Sequence, residues 1–217
     1  MTKGAMMDTF DSRALRFTDC YGQRFMRPAV YCYGLAFAGA CVPSPEQSFQ
    51  IEVAGSERPG GMATHYVTVR KDGSRLQADP PLLAIAVGDL VIWHCPHSAA
   101  YPYAVDGEAD FFGSAKLVNE SGFSHAFTSP GDYVWADAHG SRLQGVVHVA
   151  KADVGSEAAR CRWLELVRQG ALVMIDGEQA EPVRIEIVTG QTVFFAIVKG
   201  PGVTVTDRRL LSHNSAA

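Results

Sequence analysis

The sequence predicts an all-β protein: a β-sandwich with one linker helix and a partial C-terminal repeat of its strand unit. Twenty-one glycines and eleven prolines among 217 residues favour many short strands and turns over a helical bundle. Apolar and polar residues alternate over several short stretches, which is typical of half-buried strands. A strand–turn–strand pattern at residues 67–93 recurs at residues 171–195.

The strands are predicted from this alternation and from dense apolar runs. They fall at residues 49–53, 66–70, 83–87, 90–93, 123–127, 133–135 and 146–149. Turns are predicted at residues 71–74, 88–89 and 130–131, because glycine and proline favour turn conformations there. Residues 98–121 are polar and include two glycines, which predicts a long loop.

One segment departs from the β pattern and predicts a helix. Ser156 can cap a helix N-terminus, and Glu157 favours the first turn because its charge complements the helix dipole. Gly170 stands where a left-handed C-terminal cap belongs. The sequence therefore predicts a linker helix within residues 153–170.

The chain repeats part of itself after this helix. Residues 67–73 align with 171–177, and the pattern that follows aligns as far as Phe195, with two residues fewer between the turns. The second copy stops after Val205 and lacks a counterpart of residues 123–149. We therefore predict a truncated repeat that packs on the first domain or on a partner chain. The alternative is two unrelated hairpins that share glycine and proline positions.

Composition excludes some classes of protein. The formal charge is −4 and no basic stripe with interleaved aromatic residues occurs, so no nucleic-acid partner is expected. No CxxC pair occurs, which argues against a zinc ribbon. We expect mostly unlinked, partly buried thiols at the five cysteines, which are Cys20, Cys32, Cys41, Cys95 and Cys161.

The N-terminal region contains a signal-like segment at residues 26–41. Met26, Arg27 and Pro28 precede an apolar run, Ala29–Ala40, that ends at Cys41. This shape predicts a periplasmic or extracytoplasmic location. The alternative is a buried strand or a hydrophobic contact segment. The run is shorter than the ~20 residues that cross a bilayer as a helix, so no transmembrane span is expected.

Three motifs together resemble one known family. They are Val87–Trp93 (VGDLVIW), Phe127–Trp135 (FTSPGDYVW) and Gly145–Val149 (GVVHV). This framework, about a third of the chain, resembles the cupredoxins, the family of plastocyanin and amicyanin. The resemblance implies a Greek-key β-sandwich. It divides the chain into an N-terminal extension or signal-like segment at 1–45, a cupredoxin-like domain at 46–152, the linker helix at 153–170 and a truncated cupredoxin-like repeat at 171–217.

The resemblance also implies where copper ligands would stand. A type 1 copper site needs a thiolate, two imidazoles and a weak thioether. In amicyanin-like spacing from Tyr133, the loop ligand positions hold Asp137, Gly140 and Leu143, and the upstream histidine position holds Tyr103. A carboxylate cannot replace the thiolate. We therefore expect a vacated site and no cofactor, with copper or another divalent metal as the alternative.

Another metal could use residues near these positions. His97 and Cys95 follow the Trp93 strand, and Asp137 and His139 lie on the opposing loop. Two imidazoles and a carboxylate suit a borderline divalent ion, and Cys95 could add a soft ligand. The spacing matches no established signature, so an altered metal site stays the alternative hypothesis.

The function that follows is a non-catalytic, cupredoxin-like binding or accessory protein with a protein partner or a second copy. Tyr101, Tyr103, Phe111 and Phe112 predict an aromatic contact patch near the vacated site, although Phe111 or Phe112 could pack inside instead. Enzymatic activity is not expected. No serine stands in a nucleophile elbow, and clusters such as Asp106, Glu108 and Asp110 usually form a solvated face.

Overall fold

The computed structural model describes residues 8–38, 48–55, 62–96, 101–108 and 111–211. Most of these residues lie in strands, so the fold is all-β. The strands are β1 (Asp19–Arg24), β2 (Ala29–Phe37), β3 (Phe49–Ala54), β4 (Thr64–Asp72), β5 (Arg75–Asp79), β6 (Leu82–Ala86), β7 (Leu90–His94), β8 (Tyr103–Gly107), β9 (Leu117–Val118), β10 (Ser121–Ala126), β11 (Gly131–Ala136), β12 (Gln144–Ala150), β13 (Ala171–Asp176), β14 (Gln179–Glu181), β15 (Arg184–Val188), β16 (Thr192–Lys199), β17 (Pro201–Val203) and β18 (Thr206–Asp207). The helices are α1 (Glu157–Gln169) and α2 (Arg208–Leu211).

The described strands form one large sheet, two four-stranded sheets that face it, and a two-stranded sheet of β9 and β17. The large sheet has the order β14-β13-β16-β10-β1-β7-β4-β5. The four-stranded sheets have the orders β6-β3-β2-β8 and β15-β12-β11-β18. Aromatic rings meet between the layers: Tyr33 on β2 lies 5.4 Å from Trp93 on β7, and Trp135 on β11 lies 5.4 Å from Phe195 on β16. The core therefore lies inside a β-sandwich in which one layer is the continuous eight-stranded sheet.

The pattern of strand pairing occurs twice. In residues 19–107, β4 pairs in parallel with β7, and β3 with β6. In residues 121–207, β13 pairs in parallel with β16, and β12 with β15. We call these two stretches repeat 1 and repeat 2. Their core contacts also correspond, because Phe25–Tyr31 and Phe127–Tyr133 have the same ring separation, 4.9 Å, and lie 102 residues apart.

The two repeats are joined by their first strands. β1 and β10 pair antiparallel, with Tyr21 opposite Phe123 and Gly22 opposite Gly122. Tyr21 and Phe123 are themselves equivalent positions, 102 residues apart, so the repeats are related by an approximate two-fold axis through this pairing. We call the β1–β10 pairing the seam.

Residues before β1 close the core of repeat 2. Phe10 is 1% exposed, and its ring packs among those of Phe123, Phe127, Tyr133 and Phe195. The Ser12 amide donates to the Val205 carbonyl at 3.0 Å, and the Val205 amide donates to Ser12 Oγ at 3.2 Å. Ser114 makes the same pair of bonds with Val105 in repeat 1, at 2.9 and 3.0 Å.

The predicted strands and helix agree with the structure. Each predicted strand overlaps a strand from β3 to β12. Ser156 caps α1 by accepting a hydrogen bond from the Ala159 amide at 3.2 Å, and Gly170 follows the helix with φ +62°. The loop predicted at 98–121 differs, since it contains β8 and β9.

The strand partners, however, divide the chain differently from the sequence-based boundaries. Repeat 2 is not truncated, because β10–β12, which the sequence grouped with residues 46–152, pair with strands of residues 171–207. Likewise, residues 1–45 are not only an extension, since β1 and β2 lie inside the sheets. The Ala29–Phe37 stretch forms a strand between β3 and β8 with Tyr33 and Leu35 buried, so the alternative of a buried strand is confirmed in part; residues 39–41 of the segment lie outside the described residues. A location outside the cytoplasm stays a prediction.

Neither helix of the described part of the chain has the length and apolar composition that crossing a membrane requires.

We predict that Phe10→Ala lowers the free energy of unfolding by about 3–5 kcal/mol, because it empties a filled aromatic site. Urea denaturation followed by tryptophan fluorescence measures this. Phe17→Ala is the matched control: Phe17 is 50% exposed, so a change within about 0.5 kcal/mol is expected. Equal effects of the two substitutions would contradict the role of residues 8–15 in repeat 2.

Candidate functional site

Asp137 stabilises the loop between β11 and β12 through hydrogen bonds. Its carboxylate is buried and accepts hydrogen bonds from the Thr204 amide at 2.8 Å, the Ser141 amide at 3.1 Å and the His139 amide at 3.2 Å. Burial raises the pKa of Asp137, but the hydrogen bonds, first those from Thr204, outweigh burial and hold it below its usual value. Both carboxylate oxygens are therefore used in closing the loop against the chain before β18.

The other members of the predicted metal set are spread over the molecule. His139 Nε2 lies 3.0 Å from the Ala115 carbonyl; because a carbonyl only accepts, this nitrogen carries the proton and Nδ1 is the ring nitrogen left for a metal. Cys95 is buried directly after β7, in repeat 1. His97 lies outside the described residues. Within the described ranges, no group of three His, Cys, Asp or Glu side chains is arranged to hold a metal ion.

The four positions matched to copper ligands belong to different repeats. Tyr103 pairs with Phe37 in repeat 1, is fully buried, and its hydroxyl has no hydrogen-bond partner in the described part of the chain. Burial raises its pKa well above the ordinary value. Asp137, Gly140, with φ +89°, and the buried Leu143 lie in repeat 2. The sequence-based domain boundaries missed this separation because they assigned all four positions to one domain.

The predicted aromatic patch is divided between core and surface. Phe112 is buried, with its ring 5.8 Å from that of Trp93, so the prediction that Phe111 or Phe112 packs inside is confirmed. Phe111 and Tyr101 remain on the surface, 66% and 55% exposed. Of the acidic cluster, Asp106 and Glu108 are exposed and Asp110 lies outside the described residues.

The seam contains a buried acid–base pair that the sequence did not reveal. Asp19 Oδ1 lies 2.6 Å from His125 Nδ1, and the two side chains are 0% and 1% exposed. Asp19 also accepts from the Arg16 amide at 2.8 Å. Burial raises the pKa of Asp19, opposed by the bond to His125. His125 Nε2 has no partner among the residues described and lies in an aromatic environment, so the pair is a structural link between repeats rather than an accessible catalytic group.

The side of the large sheet that points away from the core faces solvent and carries large apolar side chains. We call this side the outer face. Its exposed large side chains, each roughly half accessible, are Tyr66 on β4, Leu172 and Met174 on β13, and Phe194 and Val198 on β16. Between them, β1 and β10 present small residues on this side: Cys20, Gly22, Gly122 and Ala126 are partly exposed and Ser124 is buried. Sheet faces that are open to solvent are usually polar, so this composition is unusual for an exposed face.

Comparisons with known proteins give one partial similarity. No family model and no solved structure matches the chain. Human fibrocystin-L is 34% identical to it over 92 residues, which cover 34% of this chain and 2% of fibrocystin-L. The chain thus spans a small fraction of that curated relative.

We predict that Asp137→Asn lowers the free energy of unfolding at pH 7 by about 1–3 kcal/mol, because it leaves buried donors poorly matched. The folded-state pKa of Asp137 lies below the unfolded value, so its contribution is present above pH ~4 and is lost as the pH falls. The difference from wild type should therefore shrink in urea titrations at decreasing pH.

The exposed Asp132→Asn serves as the control for that titration, with a change within about 0.5 kcal/mol. A difference between Asp137→Asn and wild type that grows toward acid would contradict the assignment of a lowered pKa.

We predict strong coupling between Asp19 and His125. Asp19→Ala and His125→Ala should each cost about 3–5 kcal/mol, and the double variant less than their sum, because each single change leaves its partner buried and unpaired. A matched cycle uses Gln23 and Ser121, the pair at the symmetry-related end of the seam, which bond to other groups. Chemical denaturation measures both cycles; additivity at Asp19 and His125 would refute the link.

Proposed function

We propose that the chain is a non-catalytic, cupredoxin-like binding or accessory protein that lacks a blue-copper centre and acts through protein contacts. The observation that carries this proposal is Asp137. It stands where the resemblance puts the copper thiolate, and its carboxylate is fully engaged with Thr204, Ser141 and His139. A loop closed in this way holds its own shape without a metal.

Support for the cupredoxin-like, Greek-key part of the proposal comes from the pairing pattern. Each repeat combines a sheet with a parallel pair and a facing sheet with a second parallel pair, joined by antiparallel neighbours. The motif residues Trp93 and Trp135 occupy buried positions in the facing layers. The resemblance and the sandwich are therefore compatible.

Support for action through contacts comes from the outer face. β13 and β16 are apolar on both sides: Val173 and Phe195 point into the core, while Leu172 and Phe194 point outward. Strands with two apolar faces are typical of sheets that are covered on both sides. Among the described strands of repeat 2, no apolar sheet edge needs a partner strand. The contact surface that we propose is therefore the outer face and not a sheet edge.

The alternative, a metal carrier or electron-transfer protein with an altered site, would use His97, Asp137, His139 and Cys95. Asp137 and His139 share one turn and His139 Nδ1 could ligate, which favours it, but both carboxylate oxygens of Asp137 accept hydrogen bonds within the chain. Cys95 belongs to the core of the other repeat. The metal-free proposal accounts for more of these contacts.

Metal analysis separates the two proposals. After incubation with Cu(II) or Zn(II) and dialysis, we expect substoichiometric metal by mass spectrometry and no intense thiolate-to-copper absorption band. His139→Ala and the control His148→Ala, at a partly exposed histidine, should retain equal amounts of metal. A stoichiometric metal that His139→Ala releases and His148→Ala does not would overturn the metal-free proposal.

A further inference from the structure

The outer face has a shape that fits a copy of itself. Directly paired residues Leu172 and Phe194 form a raised apolar ridge across β13 and β16, which Met174 and Val198 extend. Beside it, β1 and β10 form a trough, where Gly22 pairs with Gly122 and Cys20 with Ser124. Two strand spacings make this trough about 10 Å wide, enough to receive a row of side chains.

The size of the face also suits a protein contact. Five half-exposed large side chains leave on the order of 500 Å² of apolar surface, toward the upper end of what single monomers expose. The partly exposed Leu90, Ile92 and Ala196 enlarge it. The total approaches the ~800 Å² that each partner contributes to a standard interface.

The charge distribution selects the occupant. On β16, β10, β1 and β7 the outward side chains include no acid, and the one guanidinium, on Arg24, bonds to the Gly88 carbonyl at 2.5 Å. Acids stand at the margins, as Asp79, Glu181 and, at the end of β13, Asp176 do. A strongly charged partner therefore finds no complementary charge on these four strands. A second copy also carries a net charge of −4, but the same four strands of that copy present no acid that would repel this surface.

We infer that a second copy of this chain covers the outer face, with the Leu172–Phe194 ridge of each copy seated in the Gly22–Gly122 trough of the other. The contact is isologous and closes after two copies. This inference rests on the proposed function, since it names the partner of the same face. It also brings Leu172 of one copy next to Cys20 of the other.

Oligomeric state and cross-linking test the inference together. Light scattering after size-exclusion chromatography, at up to about 100 µM so that micromolar dissociation constants are covered, should give twice the chain mass. Phe194→Asp should give a folded monomer by circular dichroism. Val183→Asp, which alters an equally accessible residue away from this face, should leave the dimer intact. Under mild oxidation, Leu172→Cys should form a covalent dimer that Cys20→Ser abolishes.

A wild-type monomer at the highest concentration overturns the inference, and so does a dimer that Phe194→Asp leaves unchanged. A monomer that binds a different protein, with loss of binding in Phe194→Asp, rejects the second copy but retains the proposed function. A monomer with no partner from the native source, tested with the same pair of variants, rejects both.

Discussion

The seam between β1 and β10 is the interaction on which the rest of the structure depends. It makes one eight-stranded sheet out of two four-stranded halves, and it sets the approximate two-fold axis that relates the repeats. Because of the seam, the segment before each of these strands crosses to the other repeat. Phe10, which precedes β1, packs in repeat 2, while Phe112, which precedes β10, packs in repeat 1. Each repeat is therefore closed by a segment that leads into the other, and neither core is complete without both.

The polar groups at the seam explain why the two halves pair in this register. Burying Asp19 and His125 costs desolvation, and the 2.6 Å bond between them offsets this cost only when they face each other. A shift of one residue would turn these side chains and the flanking Tyr21 and Phe123 toward the outer face. The pair thus specifies register more than it adds stability. Asp19 and His125 therefore act to position the two strands.

Local structure could be predicted from the sequence, and strand partners could not. Alternation and dense apolar runs identified β3, β4, β6, β7 and β10–β12, and Ser156 and Gly170 bounded α1, because these signals act within a few residues. Which strands pair depends on contacts between residues about a hundred positions apart in the sequence. A signal was present: Tyr31 and Tyr133, Gly88 and Gly190, and Trp93 and Phe195 share a spacing of 102 residues, which indicates two full repeats. At the candidate site, Asp137 could be singled out from the sequence, but its hydrogen bond with Thr204 could be found only from the fold.

In the structure, β1 lies between β7 and β10 and so joins the two repeats in one sheet. Through-space proton contacts in NMR spectra of the labelled chain test this strand order. We expect backbone contacts from Tyr21 to both Trp93 and Phe123, and from Phe123 to Phe195. Direct backbone contacts between β7 and β10, with β1 outside the sheet, would mean that residues 46–152 close as one unit and would contradict it.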